Sequence, residues 1–340
     1  MTDAPVALDA AAPAAALSVI DFAAELPTGH RSAEWLAASS GLALHEVRRW
    51  VGPARFPVVG ADETIHDVAA RAVARVRQAQ PAEFAAVRTV LVGGTGPWTH
   101  PAWSPSAAIA EEFDLREAHC LEVGNFCNST AATLRVALDA AIARPADGNT
   151  LIVLQDHLSS LVDETSPAAA ELFNYADGAV ALLAGPGAGR GRFDVVDAVS
   201  LTDPSWHAEY RGEYRRDGRG PVLRHAGSRR GLRDRYIAAF SELVHRVIDK
   251  AGRDLSEVAL VLLNHGDQVT HERLLDELGL PERRTVFNYA HLAHQGGADT
   301  FIALDAAIDA GRVPAGSYVL QLTSGLGFSW GATLLRAVRP

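Results

Sequence analysis

The chain has 340 residues, of which 48% are hydrophobic and 21% are charged, a composition typical of a globular protein with one large domain or two packed halves. Its formal net charge of −10 argues against nucleic acid as the main partner. No apolar run reaches the length of about 18 residues that a membrane helix needs, and the start of the chain lacks the basic region of a signal peptide. We therefore expect a cytoplasmic protein without membrane contact.

Apolar runs rich in Val and Leu alternate with Ala-rich helical stretches, which predicts a layered α/β fold. The predicted strands are 87–93, 151–155, 178–184, 257–264 and 318–323. The predicted helices are 64–79, 129–143, 234–251, 270–278 and 298–310. A strand, a reactive side chain and a helix follow one another twice. This order suggests two related halves, 17–187 and 188–340, after a loose Ala/Pro tail at 1–16.

The two cysteines of the chain, Cys120 and Cys127, lie on one short segment. A disulfide is not expected in a cytosolic chain, and two thiols make a poor zinc site, so we expect no metal. Cys127 precedes the predicted helix 129–143, whose apolar residues on nearly every face predict burial. The positive end of a helix favours a thiolate, so Cys127 is a candidate nucleophile. A buried inert thiol is the alternative, and it is our interpretation of Cys120.

Two histidine segments could supply acid–base chemistry. His265 ends an apolar strand, and ligands of α/β proteins bind at the carboxyl ends of strands. A packing histidine is the alternative there. His291 and His294 precede Gly296 and Gly297, two glycines that allow a close backbone approach. Their residue types leave the choice between them open. The alternative for this segment is a plain helix entry capped by Asp299.

The last segment, TSGLGFSWGATLLR, places glycines at 325, 327 and 331 around Trp330. This pattern predicts a hairpin-like turn whose backbone N–H groups face a ligand. An N–H group aimed at a carbonyl oxygen is half of an oxyanion hole.

The stretch between Arg211 and Arg235 carries nine arginines against three acids. One interpretation is a solvated loop. The other is a landing site for phosphates or an acidic carrier protein. The candidate residues for that site are Arg215, Arg216, Arg229 and Arg230.

Taken together, these segments resemble the beta-ketoacyl-acyl-carrier-protein synthase III group of thiolase-fold condensing enzymes. GNFCNSTAATLRVAL is similar to the nucleophile segment of that family, LFNYADGAVALL to its Phe-Gly-Asp-Gly-Ala strand, and GLGFSWGATLLR to its terminal signature. The resemblance covers almost the whole chain from Leu17. It implies a thiolase fold, in which two pseudo-duplicated halves form five αβαβα layers.

The resemblance also implies roles for individual residues. Cys127 takes the position of the acylated nucleophile, with its own N–H as one oxyanion donor, and His265 that of the first catalytic histidine. Alignment from FIALDAAI places His294 where the family usually has Asn. Leu326 replaces the middle glycine of the terminal signature. Its N–H completes the oxyanion hole, and its side chain narrows the pocket.

The implied activity is acyl transfer, of groups other than amino-acyl, from acyl-CoA or an acyl carrier protein to a second substrate. The leading hypothesis is a (decarboxylative) Claisen condensation in secondary metabolism, with no cofactor besides the thioester substrates. One alternative is acyl transfer to a hydroxyl or amine. Another is a non-catalytic partner subunit of a heterodimeric synthase. The family resemblance also predicts a homodimer, in which the Trp- and Pro-rich segment 95–107 reaches the partner's pocket.

Overall fold

The computed structural model describes residues 16–52, 55–100, 102–215, 220–228 and 230–340. The strands are β1 (Leu17–Glu25), β2 (Gly29–Arg31), β3 (Phe56–Val58), β4 (Val87–Gly93), β5 (His119–Val123), β6 (Asn149–His157), β7 (Asp177–Pro186), β8 (Phe193–Thr202), β9 (Tyr210–Tyr214), β10 (Pro221–His225), β11 (Val258–Leu263), β12 (Tyr318–Gly325) and β13 (Ser329–Ala337). The helices are α1 (Ala33–Ser40), α2 (Leu44–Val51), α3 (Ile65–Ala79), α4 (Pro81–Ala85), α5 (Pro105–Glu112), α6 (Ser129–Ala143), α7 (Leu232–Lys250), α8 (Gln268–Glu277) and α9 (Asp299–Asp309). Across these ranges, none of the helices is long and apolar enough to span a bilayer.

The main sheet has the strand order β11-β12-β13-β8-β1-β7-β6-β4-β5. From its middle outward, one arm runs β1, β7, β6, β4, β5 and the other runs β8, β13, β12, β11. In both arms the first two pairings are antiparallel and the third is parallel. A duplicated unit would produce this repeated topology. The division into 17–187 and 188–340 stays an interpretation of that repeat, and the predicted tail falls almost wholly outside the described residues.

Helices cover both faces of each arm. Because side chains alternate along a strand, Ile152 and Leu154 of β6 face a central apolar cluster with α6 and α9, whereas Leu151 and Val153 face α3. The other arm repeats this arrangement: its residues on one face join the central cluster and those on the opposite face pack on α7. The layer order is therefore α3, first arm, α6 with α9, second arm, α7. This confirms the predicted αβαβα thiolase fold.

Four strands of the sheet, β1, β5, β8 and β13, fall outside the five predicted strand ranges. β8 (Phe193–Thr202) contains Asp194, which is fully buried yet accepts hydrogen bonds from the Ser18 hydroxyl and the Arg336 guanidinium, both at 2.7 Å. A buried carboxylate with such partners breaks the apolar pattern that marks a strand. β13 (Ser329–Ala337) was predicted only as the end of a glycine-rich turn.

Helix α6 is buried at its start, where Cys127 precedes it, but not along its whole length. Its residues from Ser129 to Leu134 are buried or nearly so, whereas the side chains of Val136 and Ile142 are 39% and 62% exposed. The prediction that the whole helix is buried is therefore wrong. The helix is apolar on nearly every face because one face packs in the core and another forms an exposed apolar surface.

Candidate active site

Cys127 lies between β5 and α6, in a single turn of 3₁₀ helix, Phe126–Asn128. The preceding residue, Phe126, has a positive φ of 48°, a conformation that non-glycine residues seldom adopt. Such a strained turn lifts the next side chain out of the helix path and presents it at the helix N-terminus. The Cys127 side chain is 5% exposed.

The terminal hairpin β12–β13 packs directly on this turn. A Cβ atom at Gly331 would lie 2.3 Å from the Ala131 Cβ atom, so only glycine lets the hairpin approach α6. The Thr323 hydroxyl donates to the Asn128 side-chain oxygen at 2.7 Å, and the Ser329 hydroxyl donates to Asn125 Oδ1 at 2.7 Å. Leu326 therefore lies in a hairpin turn fastened to the nucleophile segment, as the terminal glycine pattern predicted.

The His294 segment reaches the same point from the second half of the chain. A Cβ atom at Gly297 would lie 2.0 Å from Ser129 Oγ, and one at Gly296 would lie 2.3 Å from the Asp156 side chain. The two glycines thus allow the close backbone approach that the sequence indicated. They bring the start of α9 against the start of α6.

Cys127, His294 and Leu326 line one cavity of about 1060 Å³. Aromatic side chains form much of its wall, among them Tyr175, Tyr236, Tyr289 and Phe328. His291 is exposed and is not part of this wall. The structure therefore places His294, and not His291, at the third predicted position.

His265 lies next to the cavity, between Asn264 and Gly266, which line it. It is 1% exposed and is not part of the cavity wall. Its Nε2 atom faces the Val286 carbonyl oxygen at 3.4 Å, and its Nδ1 atom lies 3.5 Å from Asp299 Oδ1. The sequence predicts two imidazoles that face Cys127, but the structure shows one imidazole at the cavity and one behind it.

Asp299 is the group that joins the two histidines, although the sequence suggested only a helix cap. Its Oδ2 atom lies 2.5 Å from His294 Nδ1 and accepts the His265 backbone N–H at 2.7 Å. Its Oδ1 atom accepts the Gln295 backbone N–H at 2.8 Å. Burial alone would raise the pKa of Asp299, but the imidazoles of His294 and His265 hold that pKa well below its usual value. The carboxylate is therefore ionised.

The thiol itself is protonated in the substrate-free protein. Burial raises the pKa of Cys127 well above its usual value, and the Asp156 carboxyl raises it further, while a hydrogen bond from Thr95 lowers it. The predicted thiolate is therefore wrong for this state, because removal of the sulfur from water outweighs the helix N-terminus. Acylation of Cys127 consequently needs a base.

Asp156 is a second buried carboxyl that the sequence did not indicate. It accepts the Thr95 and Gly297 backbone N–H groups at 2.8 and 2.9 Å. Burial raises the pKa of Asp156 to about 8. Its two oxygens join the segment after β4 to the segment before α9.

Two of the four predicted arginines, Arg215 and Arg230, do not line the cavity. Arg215 donates to the Val162 carbonyl oxygen at 2.8 Å and Arg230 is exposed; neither lines the cavity. Arg216 and Arg229 lie outside the described residues. Other arginines line the cavity instead: Arg48, Arg49, Arg233 and Arg273. Arg233 belongs to the arginine-rich stretch 211–235, whereas Arg48, Arg49 and Arg273 come from α2 and α8, which charge density along the chain did not indicate.

Known proteins resemble this chain in sequence. The family model described as 3-oxoacyl-[acyl-carrier-protein (ACP)] synthase III C terminal matches residues 248–337. The 3-oxopimeloyl-[acyl-carrier-protein] synthase of Rhodothermus marinus is 28% identical over 335 residues, which cover 96% of this chain and 95% of that protein.

Two solved structures share the fold. The 3-oxoacyl-(acyl carrier protein) synthase III of Pseudomonas aeruginosa superposes with a TM-score of 0.82 at 20% identity, over 95% of this chain and 98% of that one. The priming beta-ketosynthase of the R1128 polyketide pathway gives a TM-score of 0.82 at 20% identity, over 96% and 98%. With this fold and these relatives, the chain is similar to the 3-oxoacyl-[acyl-carrier-protein] synthase III enzymes, whose C-terminal family model it matches, and is an acyl-transferring enzyme.

Proposed function

We propose that the chain carries an acyl group as a thioester on Cys127 and passes it to the carbon of a second acyl thioester in a decarboxylative Claisen condensation. The observation that carries this proposal is the shared cavity of Cys127, His294 and Leu326. It offers a nucleophile, a base and a turn with backbone N–H groups to one thioester.

In the first half-reaction the Cys127 sulfur attacks the carbonyl carbon of the donor thioester, and His294 takes the thiol proton. The backbone N–H groups of Cys127 and Leu326 stabilise the negative oxygen of the tetrahedral intermediate. The carbon–sulfur bond to the donor then breaks. His294 returns the proton to the leaving thiolate, so acyl-Cys127 and a free donor thiol are the products.

In the second half-reaction a malonyl-type thioester loses carbon dioxide, and the enolate carbon attacks acyl-Cys127. A new carbon–carbon bond forms and the thioester bond to the Cys127 sulfur breaks. The step consumes one proton, which enters through His294 and ends on that sulfur. Imidazole can perform both tasks because it donates when protonated and accepts when neutral.

The proposed thioester carrier is coenzyme A or the phosphopantetheine arm of an acyl carrier protein. Arginines at the cavity support this choice, since a guanidinium binds phosphate oxygens in pairs. Likeness to a priming ketosynthase of a polyketide pathway supports a role in secondary metabolism. We place this activity in the cytoplasm and in a homodimer.

Intact-protein mass spectrometry tests the first half-reaction. The chain is incubated with a panel of acyl-CoA and acyl-carrier thioesters, and the mass added to Cys127 identifies the donor. We expect Cys127→Ala to remain unmodified and the matched variant Cys120→Ala to be acylated normally. Uptake that survives in Cys127→Ala would overturn the proposed nucleophile, and unchanged turnover in that variant would favour a non-catalytic role for the site.

Release of carbon dioxide from a malonyl thioester tests the second half-reaction. The acylated chain should release one carbon dioxide for each condensed product. Acyl-Cys127 that discharges to an alcohol or amine without carbon dioxide would replace condensation by acyl transfer to oxygen or nitrogen.

A further inference from the structure

We propose that Asp299 is a positioning residue that holds His294 with its proton on Nδ1 and its Nε2 atom free toward Cys127. This inference rests on the proposed acyl transfer through Cys127. It adds a carboxylate that neither the sequence motifs nor the proposed reaction had required.

The hydrogen-bond geometry determines the tautomer. An ionised carboxylate only accepts hydrogen bonds, so the nitrogen that lies 2.5 Å from Asp299 Oδ2 must be the one that carries the proton. In a neutral imidazole the other nitrogen then has a lone pair. Among the described residues, the one hydrogen bond of the His294 ring is that of Nδ1 to Asp299, and His294 lines the cavity that contains Cys127. Nε2 is therefore the ring nitrogen left to accept a proton from the thiol.

The carboxylate is itself fixed, which a positioning role requires. Asp299 is fully buried, and the backbone N–H groups of His265 and Gln295 donate to its two oxygens. It is also the first residue of α9, where the helix dipole favours a negative charge. The backbone of His294 is held independently, since its N–H donates to the Asn174 carbonyl at 2.8 Å. The Asp299 carboxylate cannot rotate away without breaking three buried hydrogen bonds, and the backbone that carries the His294 ring is fixed.

The arrangement explains how a protonated, buried thiol can react. Nε2 accepts the Cys127 proton as the sulfur attacks, and the imidazolium that forms lies against the Asp299 carboxylate, which stabilises it. After that proton has gone to the leaving thiolate, Nε2 takes up a second proton from solvent and delivers it to the Cys127 sulfur in the second half-reaction. Without Asp299 the neutral ring could place its proton on Nε2, where it would block the thiol.

Asp299→Asn is the variant that tests the tautomer, because an amide can donate to Nδ1 and favour a proton on Nε2. We expect the rate constant of Cys127 acylation to fall roughly 10³- to 10⁴-fold, as when a triad histidine takes the wrong tautomer, with the dissociation constant of the thioester unchanged. Asp305→Asn, on the same helix, is the matched control and should acylate at the wild-type rate. Acylation of Asp299→Asn at the wild-type rate would overturn the proposal.

A spectroscopic measurement keeps the test decisive if Asp299→Asn does not fold. Nitrogen-15 NMR of the labelled wild-type chain reports which nitrogen of each neutral histidine is protonated, and His294→Gln assigns the signal of that residue. We expect the neutral His294 ring to be protonated on Nδ1. Protonation on Nε2 would overturn the inference even in an active enzyme. Absence of acylation in the wild-type chain would instead overturn the proposed function, so the two failures are distinguishable.

Discussion

Gly325 of β12 lies in direct contact with the backbone of Asn125. A Cβ atom at position 325 would stand 2.4 Å from the Asn125 carbonyl oxygen, although real Cβ contacts are essentially never shorter than 3.0 Å. The end of the terminal hairpin therefore closes over the turn before Cys127 only because residue 325 has no side chain. Two segments two hundred residues apart in the chain are joined at this point.

Gly325→Ala should separate the hairpin from the nucleophile turn. We expect a loss of about 1–3 kcal/mol in the free energy of unfolding, as for other overpacked sites, together with slower acylation of Cys127. Urea denaturation and time-resolved mass spectrometry measure the two effects. Gly124→Ala is the control, since a Cβ atom there meets nothing within 4 Å. Equal behaviour of the two variants would show that the contact is unimportant.

Leu326 should limit the acyl groups that the cavity accepts. It lies in the turn between β12 and β13, lines the cavity with Cys127, and packs on the apolar cluster around that residue. Leu326→Gly removes a branched side chain from the wall, so we expect acyl chains longer than the wild-type limit to be transferred to Cys127. Rates with a series of acyl-CoA chain lengths measure this limit.

The volume-conserving change Leu326→Met serves as the control and should leave the chain-length limit nearly unchanged. If Leu326→Gly and Leu326→Met have the same limit, the side chain at 326 does not define the pocket.

His271 should make the fold sensitive to acid. It is fully buried, with Nδ1 at 3.0 Å from the Tyr289 hydroxyl and Nε2 at 2.9 Å from Thr285 Oγ1. Burial, and then the neighbouring His265, lower the pKa of His271 to about 3. Between pH 3 and about 6.5, His271 is protonated in the unfolded chain but neutral in the folded one. The free energy of unfolding therefore keeps its full value above pH 6.5 and decreases as the pH falls toward 3. The full loss is of the order of 5 kcal/mol.

Free energies of unfolding at pH 7.5 and pH 4.5 test this dependence. We expect His271→Gln to lose part of its stability at both values but to show a smaller difference between them than the wild type. His245→Gln, at an exposed position, is the control and should keep the wild-type difference. An unchanged difference in His271→Gln would assign the acid sensitivity to other groups.

Local sequence pattern predicted the elements that hold the nucleophile. The bounds of β4 and α6 agree with prediction because apolar runs there end at glycines or polar turns. The Gly296–Gly297 pair was interpreted as a point of close approach, and a Cβ atom at Gly297 would lie 2.0 Å from Ser129 Oγ at the start of α6. The terminal glycines were interpreted as a turn, and that turn does pack on the start of α6, since a Cβ atom at Gly331 would lie 2.3 Å from the Ala131 Cβ atom. These features are predictable from local sequence, because glycine is needed wherever a Cβ atom at that position would clash with a neighbouring segment.

Side-chain orientation was not predictable in the same way. The direction of the His265 ring depends on Asp299, which lies 34 positions later in the chain and looks like a helix cap in sequence. The pKa of the Cys127 thiol depends on burial and on Asp156, which arrives on a separate strand. Ring direction and thiol pKa are set by contacts between segments that are distant in the chain. The residue type at a single position therefore does not predict them.

Arg49 should be a phosphate contact at the cavity mouth. Arg48, Arg233 and Arg273 each lie within 3.3 Å of a carboxylate oxygen, whereas no ion pair joins Arg49 to an acid within the described part of the chain. An arginine without a carboxylate partner is the one most available to an incoming phosphate.

Arg49→Ala should therefore raise the KM for an acyl-CoA several-fold while kcat stays the same, and the effect should shrink as salt concentration rises. Arg230→Ala removes an exposed arginine away from the cavity and is the control. A minimal acyl thioester without phosphates should react equally with wild type and Arg49→Ala. If the KM for that minimal thioester rises as well, the residue contacts the acyl arm and not a phosphate.

An exposed apolar surface should form the predicted homodimer. It combines Leu121 of β5, Phe126 of the nucleophile turn, and Val136 and Ile142 of α6, which are between 37% and 62% exposed. β5 is the terminal strand of the sheet, and within the described ranges it pairs with β4 alone, so no described strand covers its outer edge. An apolar patch beside an open strand edge is typical of a surface that a second copy covers.

Leu121→Glu combined with Ile142→Glu should dissociate that dimer, because two carboxylates would be buried without partners on each side of the interface. Sedimentation velocity measures the change from dimer to monomer. Trp35→Glu, at a residue 46% exposed on α1, is the matched control and should remain dimeric. Since Phe126 immediately precedes Cys127, the dissociated chain should also acylate more slowly. A wild-type chain that sediments as an active monomer would contradict both expectations.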